Sequence, residues 1–303
     1  MPSVPFIVLS LAAATSALAG QQSGCAQAAD TYRQKQYSQA LTLAGKSLQS
    51  DGDNASCLHL YGVILDSLGR LPEAEGYLGK AVAKEPDQPA YVVDLGKVLH
   101  DQKKYADAVP VLRHAVELAP DNLTARMMLA RSYVFSFNEL KIPNFVELTL
   151  EQLNYIVAKD PRFPAVHHHL ALVYINTNDL EKAEQELRAE ARLSPRNPQV
   201  RLELGETLLK RNETKSAIQE LEIASKEAPG MAPVYFSLGK AYRADGQADH
   251  ALAAVRRCVE LDPGFPTCHY LLGQIYRDLN QPEQAREQFD IFQQLKPPSG
   301  PAN

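Results

Sequence analysis

The sequence predicts an all-α fold built as an array of stacked helical hairpins. Three ladders in one register carry that prediction. Pro86, Pro120, Pro161, Pro195, Pro229, Pro263 and Pro297 follow one another at steps of 34, 41, 34, 34, 34 and 34 residues. Gly62, Gly96, Ala130, Ala171, Gly205, Gly239 and Gly273 form a second ladder, and Ala74, Ala108, Thr149, Ala183, Ala217, Ala251 and Ala285 a third. A period of this size is the mark of a repeat architecture, in which each unit buries its apolar face only by stacking on neighbours.

Such an array needs no single core, so a length of 303 residues sets no domain count. Hydrophobic residues make up 45% and charged residues 22%, which excludes a wholly disordered chain. The net charge of −5 comes from interleaved acids and bases. No basic patch speaks for nucleic acid, and no strong field for a polyanion or membrane surface.

Residues 1–19 read as a secretory signal. Phe6 to Ala19 is an uncharged, largely apolar run ending in Ala17-Leu18-Ala19-Gly20, an A-x-A-like cleavage site, although Met1 to Pro5 lacks Lys or Arg. Gln22-Ser23-Gly24-Cys25 places small residues before a cysteine, as a bacterial lipid-anchor signal does. Gln22 stands where such signals carry an aliphatic residue, so an anchor at Cys25 is not expected. No later run has the 18 or so consecutive apolar residues of a membrane span.

The array is expected over 20–299. A degenerate polar first unit spans 21–54, with Tyr32, Tyr37, Ala40, Leu41, Ala44 and Leu48 at helical spacing. Seven better-formed units follow at 55–88, 89–122, 123–163, 164–197, 198–231, 232–265 and 266–299, leaving a short tail, 300–303. In 232–265, Tyr235, Leu238, Gly239 and Tyr242 share one helix face, Gly246 breaks the pattern, and Ala251, Val255 and Cys258 mark a second helix. Gly69, Asn178, Asn212, Gly246 and Asn280 occupy the inner turns, where a left-handed residue ends a helix; Lys103 is the exception. The ladder prolines sit just past each second helix, which they cannot continue. Gly inside a helix costs about 1 kcal/mol relative to Ala. Five glycines at one phase therefore imply a close helix contact that offsets the cost.

This pattern resembles the tetratricopeptide repeat: a large residue, Leu-Gly and Tyr on the first helix, then Ala, a large apolar residue, Ala and Pro. Tyr235, Leu238, Gly239, Tyr242, Ala251, Val255, Cys258 and Pro263 match it best, and Leu272, Gly273, Tyr276, Ala285, Phe289 and Pro297 nearly as well. The resemblance covers 21–299. It implies a right-handed superhelical solenoid whose concave groove is lined by first helices.

The unit 123–163 departs from it by seven extra residues, placed within Phe135–Phe145 as a loop between its helices, with Pro143 opening the second helix. Such an insertion is either a binding-face loop or a tolerated surface loop. At the far end, Phe289, Ile291, Phe292 and Leu295 lie on a last helix with no successor, an apolar face suited to self-association or to a partner.

No enzyme or cofactor motif occurs: H-E-x-x-H, G-x-S-x-G, a phosphate-binding glycine loop and C-x-x-C are all missing. His167-His168-His169 cannot converge on one metal, because consecutive helical residues diverge by about 100°. Glu184, Glu186 and Glu190 read as a solvated helix face. The four cysteines form two local pairs, Cys25/Cys57 and Cys258/Cys268, either disulfides of an exported chain or, for Cys258, a small core residue in place of Ala. Asn54, Asn122 and Asn212 begin N-x-S/T sequons in expected loops.

The resemblance places the groove at Val93, Lys97, Met127, Arg131, His168, Leu172, Leu202, Glu206, Phe236, Lys240, Tyr270 and Gln274, with Arg243 and Arg277 one turn further. His59 and Val63 stand where a carboxylate clamp would need Lys and Asn, which disfavours that ligand. Met127, Leu172, Leu202, Phe236 and Tyr270 form an apolar strip bordered by Lys240, Arg243 and Arg277, suited to a helix or extended segment carrying acidic residues, although a tightly wound groove could bury them with no ligand. The expected function is thus an exported, non-enzymatic scaffold for a protein or peptide partner. The alternatives are a structural protein that self-associates through its last helix, or a non-catalytic accessory subunit of an envelope enzyme or of a secretion or pilus assembly.

Overall fold

A computed structural model describes residues 24–50, 52–140 and 144–295. The expected signal at 1–19, the residues before Gly24, Pro143, Pro297 and the tail at 300–303 lie outside the described residues. Among the described residues there are sixteen α-helices and no strand.

The helices come in pairs. The first eight are α1 (Gly24–Arg33) and α2 (Tyr37–Ser50), α3 (Ala55–Ser67) and α4 (Leu71–Lys84), α5 (Pro89–Asp101) and α6 (Tyr105–Leu118), α7 (Leu123–Leu140) and α8 (Phe145–Lys159). The second eight are α9 (Val166–Asn176) and α10 (Leu180–Leu193), α11 (Pro198–Lys210) and α12 (Thr214–Glu227), α13 (Ala232–Ala244) and α14 (Ala248–Leu261), α15 (Pro266–Asp278) and α16 (Pro282–Leu295). The chain forms two compact units that divide at Gln152–Leu153, inside α8.

The inner turns other than that between α7 and α8 are closed by the same chemistry. The second residue after the first helix has positive φ: Lys35 (61°), Gly69 (73°), Lys103 (62°), Asn178 (60°), Asn212 (61°), Gly246 (77°) and Asn280 (56°). The next amide then reaches back five residues, as in Arg70 N–H to Leu65 O and Lys104 N–H to Leu99 O, both 2.9 Å. Lys103, like Lys35, adopts this conformation without a glycine's freedom and so at a steric cost that the rest of the hairpin offsets. Asn54 and Asn122 accept from the amides of Cys57 and Ala125, each at 3.0 Å, so two of the three sequon asparagines are helix caps.

In the first unit, Leu65, Leu78, Val98 and Leu112 form the centre of a core that extends to Leu129 and Tyr133. In the second, one cluster runs through Leu187, Val200, Leu204 and Leu208, and others through Leu221, Val234 and Leu238 and through Val255, Leu272 and Ile275. Where the ladder residue is glycine, it is the seat of the hairpin. A β-carbon at Gly62 would sit 2.7 Å from Leu78 Cγ, one at Gly96 2.5 Å from Leu112 Cδ2, and one at Gly273 2.7 Å from Phe289 Cε1. In the five hairpins with a ladder glycine the second helix thus presses a large side chain into the gap that glycine leaves on the first.

Two expectations change. The extra residues of 123–163 do not make a loop from Phe135: α7 is 18 residues long, against 13 for α5, so most of the insertion prolongs a helix. Nothing in the run before residue 140 is a Gly or Pro that would stop it. The apolar face of the last helix is also less open than expected. Phe289, Ile291, Phe292 and Leu295 are all half-buried, and Tyr270 packs on Phe289 and Phe292 with ring centroids 5.7 and 5.1 Å apart.

Candidate functional site

The groove residues expected from the sequence fall into both units. In the first unit the first-helix face is largely closed on itself. Lys97 Nζ donates to Asp66 of the preceding hairpin at 2.8 Å and to Asp101 at 2.9 Å. Burial works against its charge, but these two hydrogen bonds prevail and its pKa is raised. His59 pairs with Asp94 at 2.7 Å and stacks on Tyr91. Val93 and Arg131 are half-buried, and Arg131 Nε is enclosed without a hydrogen-bond partner. Met127 is only 8% exposed, so it belongs to the packing and offers no surface to a ligand.

The second unit shows the same habit at its start. His168 Nε2 lies 2.7 Å from Glu203 of the next hairpin, and this bond raises the histidine's pKa against the opposing effect of burial, with Glu203 and Glu190 adding attraction. Ser237 donates to Glu206 at 2.7 Å. Leu172 is half-buried, and Leu202 is 5% exposed because Val234 and Leu238 of α13 pack in its cluster. Met127 and Leu202 therefore drop out of the expected apolar strip.

What remains open is a cleft of about 490 Å³ between α13 and α15. Phe236, Lys240, Arg243 and Ala244 line one side; Thr267, Tyr270, Leu271, Gln274 and Asp278 line the other. Two consecutive first helices supply it because Phe236 and Tyr270 occupy one phase a repeat apart. Tyr270 is 44% exposed, an unusual state for a large aromatic ring. Arg243 is held across the cleft by Asp278 at 2.6 Å and Gln274 at 3.0 Å. Lys240 instead lies over the Phe236 ring, 5.6 Å from its centroid. Among the described residues no carboxylate pairs with Lys240 or with the exposed Arg277. The cleft can thus bury an apolar side chain while offering a cation to an acid beside it.

His167 and His168 point to separate partners. His167 bridges Glu186 at 2.5 Å and the Pro161 carbonyl at 2.9 Å, His168 pairs with Glu203, and among the described residues no group of three or more His, Cys, Asp or Glu is placed to hold a metal. His167 also reveals a feature the sequence reading missed. Arg126 with Gln152, Arg201 with Glu220 and His269 with Gln288 repeat its tie between first and second helix. The signal was present: a polar residue followed 19 positions later by a carboxylate or amide, or 26 where seven residues are inserted. Glu190, read as solvated, is in fact buried. It is 4% exposed, with one oxygen accepting from Ser194 and the other without a partner.

Both cysteine pairs are bridged: Cys25 on α1 to Cys57 on α3, Cα atoms 5.7 Å apart, and Cys258 on α14 to Cys268 on α15, 6.2 Å apart. No helix among the described residues is long and apolar enough to cross a membrane.

Comparison with known proteins adds three findings. Models of the tetratricopeptide repeat match residues 32–93 and 242–291, residues 168–232 and 202–266, and residues 90–122. A solved tetratricopeptide repeat protein from Parabacteroides merdae is similar in fold, with a TM-score of 0.58 and 19% identity over 81% of this chain and 94% of that one. The Cut9–Hcn1 assembly of the APC/C gives 0.56 at 16% identity over 87% of this chain and 51% of that one, and MamA AMB-1 gives 0.52 at 24% over 58% and 93%. At these identities the likeness is one of fold. Protein O-mannosyl-transferase Tmtc3 of Drosophila melanogaster is 25% identical over 149 residues, which is 49% of this chain. The chain spans only 15% of the length of that relative.

Proposed function

The chain belongs to the tetratricopeptide repeat family, and from that premise we propose that it is an exported, non-catalytic scaffold that holds a segment of a partner protein in the cleft between α13 and α15. Repeats of this family support a protein-interaction role for the chain as a whole. The observation that favours this cleft is the pairing of an open aromatic floor, Phe236 and Tyr270, with a lysine that no carboxylate among the described residues neutralises. Elsewhere on the first-helix faces the corresponding charges, at Lys97, His168 and Glu206, are taken up by neighbouring hairpins. The fitting segment carries an apolar side chain for the floor and an Asp or Glu for Lys240. Export rests on the apolar leader and agrees with two disulfides, which persist in oxidising compartments.

An array of short peptides combining aromatic or aliphatic residues with Asp and Glu tests this. Binding of the selected peptide is then measured by fluorescence polarisation. Phe236→Ala with Tyr270→Ala should weaken it at least about tenfold, as loss of buried aromatic anchors does, with the far-UV circular dichroism unchanged. Binding that survives both substitutions places the partner elsewhere.

A further inference from the structure

All four cysteines lie at the two ends of the described array, and each bridge crosses from one hairpin to the next. The hairpins between them carry none. Among the described residues the α1–α2 and α15–α16 hairpins each pack on a neighbouring hairpin on one side only, and a hairpin so placed holds a stack of repeats least firmly. The burial pattern fits this. The terminal second helices keep little inside: α16 buries fully only Ala285, and α2 only Ala40 and Ala44. By contrast, α12 buries Ala217, Ile218, Leu221 and Ala224.

The second bridge has a particular position. Cys268 lies in the first turn of α15, next to Thr267 and two residues before Tyr270, both of which line the cleft. Cys258 is on α14, the partner helix of α13, which supplies the opposite wall. The bond therefore ties one wall of the cleft to the hairpin that forms the other. Both cysteines are 0% exposed, so an attacking thiolate reaches the bond only when the α15–α16 hairpin lifts away.

We propose that the two disulfides clamp the ends of the array against fraying, and that Cys258–Cys268 is a redox latch on the cleft. In its release step, a thiolate of a dithiol reductant attacks one sulfur, displaces the other as a thiolate, and forms a mixed disulfide. The reductant's second thiol then closes its own disulfide. Two electrons and two protons pass to the protein, leaving Cys258 and Cys268 as thiols. The freed α15–α16 hairpin opens more often, and the cleft loses a wall. The consequence for partner binding rests on the cleft being the partner site, and it runs both ways: an occupant touching α13 and α15 disfavours the reduced form at equilibrium by the same factor as reduction weakens its binding.

The latch is tested without any ligand, so the result is independent of the proposed partner site. Hydrogen exchange is followed before and after treatment with dithiothreitol, with maleimide trapping to confirm thiols at Cys258 and Cys268. Tyr270→Trp serves as a reporter, since the chain has no other tryptophan. The expected result is exchange about tenfold faster or more across α15 and α16, readier acrylamide quenching of the reporter, and unchanged exchange in α10–α12. If burial keeps the dithiol out, the Cys258→Ser/Cys268→Ser variant supplies the same comparison. Unchanged exchange in α15 and α16 overturns the latch. So does a loss of protection spread over α9–α16, which would make the bond a global support.

Discussion

Gly239 offers a quantitative test of the helix contact on which every hairpin depends. A β-carbon built there lands inside the van der Waals envelope of Val255 Cγ2 and 3.5 Å from Leu271 Cδ2. Val255 is itself fully buried, so its methyls have nowhere to retreat. Gly239→Ala gains about 1 kcal/mol of helix propensity. It loses about 1–3 kcal/mol to overpacking. The net effect in the native background is a loss of up to about 2 kcal/mol. Val255→Ala alone costs about 2 kcal/mol, from two buried methyls and the space they leave. In that background the clash is gone, so Gly239→Ala should now stabilise by about 1 kcal/mol. The two substitutions are thus coupled by about 1–3 kcal/mol. Urea unfolding of the four proteins gives the cycle, and hydrogen exchange in α13 and α14 guards against partial unfolding of the array. Equal effects of Gly239→Ala in both backgrounds, within about 0.5 kcal/mol, would refute close packing as the reason for the glycine.

Two further outcomes follow from buried polar groups. Glu190 occupies the phase held by Ala81, Ala115 and Ala224, all fully buried, and one of its oxygens has no partner. Glu190→Ala should therefore stabilise the second unit by about 1–2 kcal/mol in urea melts, and a loss of more than about 1 kcal/mol would show that the carboxylate is needed. His168 has a raised pKa through its bond to Glu203, so its contribution is fully present below the ordinary histidine pKa and is lost as pH rises through the raised one. Amide protection around α9–α11 should fall across that window once corrected for intrinsic exchange, and His168→Gln should abolish the dependence; an identical pH profile in both proteins would remove His168 as its source.

Much of the fold was legible because a repeat writes the same constraint many times. Pro263, Gly239, Ala251 and Val255 each mean little alone, but a shared period makes them a hairpin. Lys103 shows how far the register outweighs local preference, since it takes the left-handed turn that Gly and Asn take elsewhere. The cleft was legible in part. Phe236, Lys240, Arg243, Tyr270 and Gln274 were found from their phase and do line it. Met127 and Leu202 share that phase and are buried, because the depth of a side chain depends on how closely the next hairpin approaches. That approach is set by residues about 30 positions away, as with Lys97 and Asp66. The sequence order alone does not contain it. The helical insertion after Phe135 escaped for another reason: extra length was read as a loop, although no helix breaker lay before residue 140.

The cross-hairpin ties on the first-helix faces have a kinetic consequence. Asp66 with Lys97 in the first unit, and Glu203 with His168 and Asp278 with Arg243 in the second, are paired at close range. If the cleft between α13 and α15 is the partner site, charges paired in this way project little field, leaving Lys240 and Arg277 as the cations open to an acidic segment. Capture there would run on the order of 10⁵–10⁶ M⁻¹s⁻¹, the range of docking without strong electrostatic steering. Discrimination among partners falls to how long each one stays.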